Sequence, residues 1–193
     1  MKTTDLETNP MTATTMDMKL EVVVIPVGDV DRAKRFYGDL GWRLDIDYTD
    51  GDDYRVVQFT PPGSGCSVIF GRNVTTAVPG SLSGLHLIVA DIAKTRTELL
   101  SRGVGVSEPF HDVGGIFHHV NEKGIAKGLN PERKSYASYA AFNDPDGNCW
   151  VLQEVTARLT GYLEANDTNF TPELKEFVRQ AQAAKRTSAL PPA

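Results

Sequence analysis

The sequence predicts an α+β fold: two copies of a strand–helix–three-strand (βαβββ) module, then a C-terminal helix. Three observations predict it. The apolar run Leu85-His86-Leu87-Ile88-Val89-Ala90 passes into a helix at Asp91, and Val22 to Pro26 does the same at Asp29, 62 positions earlier. Each helix ends at a glycine, Gly41 or Gly103, the residue that takes the left-handed backbone of a helix stop at least cost. Alternating, strand-like segments follow each glycine. Two copies at so long a period indicate a duplicated module and not a solenoid.

Residues 1–17 lack periodicity and read as a mobile leader. The first module spans 18–71. Lys19 to Val27 is its opening strand and Asp31 to Asp39 its helix, with Ala33, Phe36, Tyr37 and Leu40 as an apolar stripe. Trp42 to Tyr48, Tyr54 to Thr60 and Cys66 to Phe70 are its remaining strands, separated by turns at 49–53 and 61–65. Residues 72–83 form a polar linker. The second module, 84–156, opens on the strand at Leu85, and Asp91 caps a helix over Ala93 to Ser101. A strand at Val104 to Glu108 follows, then an irregular stretch, 109–134, carrying His111, His118 and His119. Loops of that length are lids, binding loops or disordered segments. Ser135 to Phe142 and Cys149 to Thr156 are strands joined by the turn Asn143-Asp144-Pro145-Asp146-Gly147-Asn148. The extension 157–193 holds a helix over Pro172 to Arg186, capped by Thr171, with Leu174, Phe177, Val178 and Ala181 on one face. It reads as an appendage on the sheet backs or a subunit interface, with a lid as the alternative.

Composition narrows the function classes. Over 193 residues, 40% hydrophobic content supplies a core, and a net charge of −5 opposes the phosphate neutralisation that nucleic-acid binding needs. No apolar run approaches the roughly 18 residues of a membrane span. The leader has no apolar core of a signal peptide, so a cytoplasmic location is expected, with Cys66 and Cys149 as free thiols. There is no phosphate-binding glycine loop and no Gly-x-Ser-x-Gly nucleophile elbow.

Two modules with a Val-x-Asp strand-to-helix turn, the run Arg32-Ala33-x-x-Phe36-Tyr37-x-x-Leu40-Gly41-Trp42, and Asp144-Pro145-Asp146-Gly147-Asn148 near the end resemble the vicinal oxygen chelate superfamily, the glyoxalase, bleomycin-resistance and extradiol-dioxygenase group. The resemblance covers residues 19–156 and implies mixed sheets that curl together around one central cleft. It also implies a divalent metal held by His, Gln or Glu on the first and fourth strand of each module. Those positions fall on Val22, Ile69, Gly84 and Val151. None offers a side-chain donor, so no metal cofactor is expected.

Strand alternation puts Leu20, Val24, Ser67, Gly71, His86, Ile88, Cys149 and Gln153 on the same face as those four positions. This is an apolar lining with two outstanding polar groups, His86 and Gln153, suited to an apolar or aromatic ligand oriented by a few hydrogen bonds. The parity of the third strand is open, so either Arg55 or Gln58 points inward. Tyr136 and Tyr139 border the mouth. His86 is the candidate general acid or base, with His118 and His119 as candidate imidazoles from a lid; a core histidine and a solvated loop are the competing readings. The expected function is a metal-independent isomerase, lyase or cyclase acting on a small hydrophobic oxygenated compound. The alternatives are a non-catalytic drug- or metabolite-sequestering protein, and a metal enzyme with a displaced site built from His86, a loop histidine and Gln153. A small molecule is the expected partner, without nucleic acid or membrane; a homodimer is left open.

Overall fold

The computed structural model describes residues 18–113, 124–158 and 171–188. In chain order the elements are β1 (Val22–Val24), α1 (Val30–Asp39), β2 (Arg43–Asp50), β3 (Tyr54–Thr60), β4 (Ser67–Arg72), β5 (Leu85–Val89), α2 (Ile92–Ser101), β6 (Phe110–Asp112), β7 (Ile125–Lys127), β8 (Ser138–Asn143), β9 (Cys149–Glu154) and α3 (Pro172–Ser188). The first four strands form one sheet in the order β1-β4-β3-β2, and the other five form a second in the order β5-β9-β8-β6-β7. In each sheet the opening strand runs parallel to the closing one, β1 along β4 and β5 along β9, and the remaining pairs are antiparallel.

The two helices begin and end alike. Asp29 and Asp91 sit in extended backbone and accept from Arg32 N and Lys94 N, each at 2.9 Å, which satisfies an otherwise orphaned first-turn donor. At the far ends Trp42 N donates to Tyr37 O and Val104 N to Leu99 O, across Gly41 and Gly103 at φ near 80°. The repeat read from the sequence is therefore a repeat of backbone geometry.

One core serves both sheets. Ile25, Tyr37, Trp42, Phe59 and Phe70 from the first half pack with Ile92, Phe142, Trp150 and Leu152 from the second. Trp42 and Trp150 meet edge to face at 5.2 Å, and Tyr37 meets Trp150 at 6.2 Å. Such offset and edge contacts add to what area burial alone contributes. A hydrogen-bonded knot fixes the halves: Tyr37 Oη donates to Asp144 Oδ2 at 2.9 Å and accepts from Trp150 Nε1 at 3.2 Å. Asn148 Nδ2 donates to Pro26 O and Asp144 Oδ2, and its Oδ1 accepts from Leu82 N. Gly80 leaves room that a Cβ would take from the Asp146 carbonyl.

Several expectations are corrected. The expected mixed sheets are present as two separate sheets, not closed on each other. Their helix-covered backs bury the aromatic residues jointly, and β1 and β5 each pair on one side only. The strand expected at 104–108 is a single bridge, Val106 to Phe142. The stretch read as irregular carries the β6–β7 hairpin, paired to β8 through Phe110↔Tyr139. The opening strand is shorter than Lys19 to Val27, and β2 and β4 both run two residues further than expected. Cys66 and Cys149 are free thiols, Cys66 just ahead of its strand. No helix among the described residues is long and apolar enough to cross a membrane.

Candidate functional site

Pairing registers decide which side chains share a face. On the second sheet, His86 and Ile88 of β5 lie beside Val151 and Gln153 of β9, which lie beside Ala141 and Tyr139 of β8, and Tyr139 beside Phe110 of β6. Leu85, Leu87, Trp150 and Leu152 take the opposite side and enter the core. The second-module members of the expected lining therefore share one face, with Phe110 and Asp112 beside them.

Gln153 is the centre of this face. Its Nε2 donates to Tyr136 O at 3.0 Å and to Tyr139 Oη at 3.3 Å, and Tyr139 Oη donates to Tyr136 O at 2.7 Å. Those bonds fix the amide with Oε1 towards His86 Nδ1, 3.3 Å away. A carbonyl oxygen only accepts, so Nδ1 carries a proton and donates it to Oε1. Tyr139 stacks on Phe110 at 5.6 Å and meets His86 edge-on at 6.4 Å. Burial, then the charge of Asp112, holds the Tyr139 phenol well above its ordinary range. The residue therefore acts as a neutral hydrogen-bonding group.

Tyr136 enters through its backbone. It sits at φ 69°, as Arg133 does at 51°, in the left-handed region that non-glycine residues occupy only when held there. The hold is Glu154, fully buried on the opposite face: its carboxylate accepts from Arg133 Nη2 at 2.8 Å and from Ile92 N at 3.1 Å, while its carbonyl accepts from Tyr136 N at 2.8 Å. The charge thus sits at the α2 N-terminus, where the helix dipole favours it.

The matching face of the first sheet carries Val22, Val24, Ile69, Gln58 and Ser67, with Ile46 and Tyr48 from β2. Gln58 pairs with Ile69 and Ile46, so it lies on this face. Arg55 takes the opposite side and is corrected out of the lining: it bonds Asp47 through Nε at 2.8 Å and Asp31 through Nη1 at 2.8 Å. A bulge at Asp45 turns that carboxylate towards Thr60 Oγ1, and Ser67 Oγ lies 2.7 Å from the same hydroxyl. Because the Thr60 proton goes to Asp45, Ser67 donates to Thr60.

The positions where the superfamily holds its metal, Val22, Ile69, Gly84 and Val151, present two valines, an isoleucine and a glycine, which do not fit a cation. Among the described residues no three His, Cys, Asp or Glu side chains converge as a metal site. His118 and His119 lie outside the described residues. His111 faces away from Phe110 and Asp112, and its Nδ1 lies 2.9 Å from Gly128 O.

The sequence reading missed Phe110, Asp112, Asp45 and Thr60. The first two alternate correctly for one face, Phe110-x-Asp112, but were absorbed into a stretch whose glycines read as loop. Asp45 is turned in by a bulge, which period-two counting does not register.

A family model described as the Glyoxalase/Bleomycin resistance protein/Dioxygenase superfamily matches residues 19–152. Among solved structures, TnmS3, an antibiotic binding protein from Streptomyces sp. CB03234, is 27% identical at a TM-score of 0.53, covering 73% of this chain and 98% of that one. A glyoxalase/bleomycin resistance protein from the same organism is 28% identical at a TM-score of 0.50, covering 70% and 100%. A superfamily member from Sphaerobacter thermophilus DSM 20745 is 26% identical at a TM-score of 0.54, covering 72% and 99%. No protein of curated function matches the sequence significantly. With the two strand–helix–strand repeats, their paired Asp caps and the Asp144–Asn148 turn in place, the chain belongs to the glyoxalase, bleomycin-resistance and dioxygenase group, the vicinal oxygen chelate superfamily.

Proposed function

We propose that this protein binds a hydrophobic, oxygen-bearing organic compound of the antibiotic class without needing a metal. In this reading the ligand lies between the His86–Gln153–Tyr139 face of one copy and the Val22–Val24–Ile69 face of a second. The observation that carries it is that both faces carry exposed apolar side chains, set on one of them around the polar His86 and Gln153. Val22, Val24, Ile46 and Tyr48 on the first-sheet face and Ile88 on the second are all exposed. Exposed apolar surface that recurs on paired faces marks a binding surface. The likeness to an antibiotic binding protein supports the same ligand class. His86 Nε2 and the Gln58 amide would orient the ligand's oxygens, and the aliphatic side chains would supply contact area.

The test is calorimetric titration with a panel of polycyclic and glycosylated aromatic antibiotics, followed by chromatography of the recovered compound. Binding with the compound returned unchanged, weakened about tenfold by Val24→Asp, is the expected result. Metal analysis by plasma mass spectrometry, before and after chelator dialysis, should show no stoichiometric Zn, Ni, Mn or Fe. A stoichiometric metal needed for binding would overturn the metal-free part of the reading.

A second reading has a specific observation in its favour: the Gln153 amide, itself fixed by Tyr136 and Tyr139, holds the His86 imidazole through Nδ1, as an acid–base catalyst is held. It predicts conversion of the bound compound, abolished in His86→Ala while affinity survives.

A further inference from the structure

We infer a second ligand pocket, bordering the His86 face at Ile88 but centred at the seam between the halves: a site for a monocyclic aromatic molecule the size of phenol. A cavity of about 250 Å³ opens there, walled by Leu99 of α2, Leu87 of β5, Trp42, Phe142, Leu152 and Pro62, with Glu98 and Arg102 at its rim. Its origin lies in the internal repeat. With the caps Asp29 and Asp91 aligned, Tyr37 corresponds to Leu99 and Phe36 to Glu98, and the helix-end bonds Trp42 N to Tyr37 O and Val104 N to Leu99 O confirm the match.

In the first half the Tyr37 ring fills the space between helix and sheets, packed against Trp42, Phe70 and Trp150 with its hydroxyl on Asp144. In the second half the corresponding side chain is Leu99, which is shorter and carries no ring. The turn that closes the seam differs too. Asp144–Asn148 reaches across to Pro26 and Gly28, whereas the turn at 61–66 bonds within itself, Ser64 N to Pro61 O and Ser64 Oγ to Cys66 O. One end of the pseudo-symmetric seam is therefore knotted shut around a phenol ring, and the other lacks that ring.

What fits is what the other end holds. The walls are apolar and aromatic. Arg102 is engaged by Asp39 O and Glu98, so it does not call for an anion. Glu98 also lines the pocket, its Oε1 accepting from Arg102 and its second oxygen the acceptor proposed for a ligand hydroxyl. An apolar cavity of about 150 Å³ is enough to bind benzene. The pocket also touches Leu87, Ile88 and Val89 on the strand that carries His86, so an occupant there bears on the edge of the other site.

The experiment is a titration of methyl-labelled protein with phenol, followed by NMR. Saturable shifts of the Leu87 and Leu99 methyls, with intermolecular NOEs from the phenol ring to both, are expected. His86→Ala should leave them in place. Leu99→Phe, which supplies a ring from within, should weaken phenol binding at Leu87 at least tenfold. Absence of saturable shifts at Leu87 and Leu99, or shifts centred on Val151 instead, would overturn the inference. So would undiminished binding in a folded Leu99→Phe variant. Should that variant not fold, the wild-type NOEs decide alone: contacts to Leu87 and Leu99 support the pocket and contacts elsewhere refute it.

Discussion

Tyr37 shows how one side chain can join two halves of a chain. Its ring lies among aromatic residues of both, and burial followed by the charge of Asp144 holds its phenol far above the ordinary range, so it stays a donor. Tyr37→Phe keeps the ring but leaves the buried Trp150 indole N–H without its acceptor. A loss of about 1–3 kcal/mol is expected from urea denaturation. Asp47 answers to pH. Hydrogen bonds from Arg55 and then Lys34 lower its carboxyl from 3.8 to about 2. A folded-state value below the unfolded one contributes stability that is present above about pH 4 and lost as pH falls towards 2. Asp47→Asn should therefore be less stable than the parent at pH 7, the two converging near pH 2. Denaturation curves across that range check the sign; a gap that stays constant down to pH 2 would refute it.

At the scale of elements, the Asp caps are the devices that repeat. Each accepts one first-turn N–H, and removing such a cap costs about 0.5–2 kcal/mol. Asp29→Ala and Asp91→Ala should both destabilise. Asp91→Ala should cost less, because Glu154 also bonds Ile92 N at the same helix end. Two-state unfolding free energies for the pair of variants test this ordering. The β6–β7 hairpin shows the opposite case: a short element whose own sequence is weak, held because β8 offers it an edge through Phe110↔Tyr139. Isolated two-stranded hairpins are marginal, and a sheet edge is what stabilises one.

Over the whole molecule, the deciding fact is that the aromatic core joins the sheets by their backs. Their ligand-type faces are then left pointing away from it, and among the described residues β1 and β5 each pair with one strand, β4 and β9. If a second copy completes the cleft, as proposed above, the chain should sediment as a dimer at micromolar concentration. Val24→Asp, a charge in the centre of the first-sheet face, should shift it to monomer without unfolding it. Analytical ultracentrifugation with circular dichroism reads both; a monomeric parent would remove the two-copy cleft.

The sequence by itself determined what depends on local chemistry. Helix starts at Asp29 and Asp91, stops at Gly41 and Gly103, the tight turn at Asp144–Asn148 and the period-two faces bearing His86 and Gln153 are all set within a few residues, by capping, φ preference and alternation. The same locality reads the missing metal donors at Val22, Ile69, Gly84 and Val151. Only the tertiary structure decided that Arg55 turns from the face while Gln58 stays on it, because a β-strand's parity is fixed by its partners' register and not by its own residues. The bulge that brings in Asp45 and the pairing that turns part of a glycine-rich stretch into β6 and β7 are of the same kind. So is the back-to-back packing: Tyr37, Trp42, Phe142 and Trp150 lie far apart in sequence, and only their shared burial places the open faces outside.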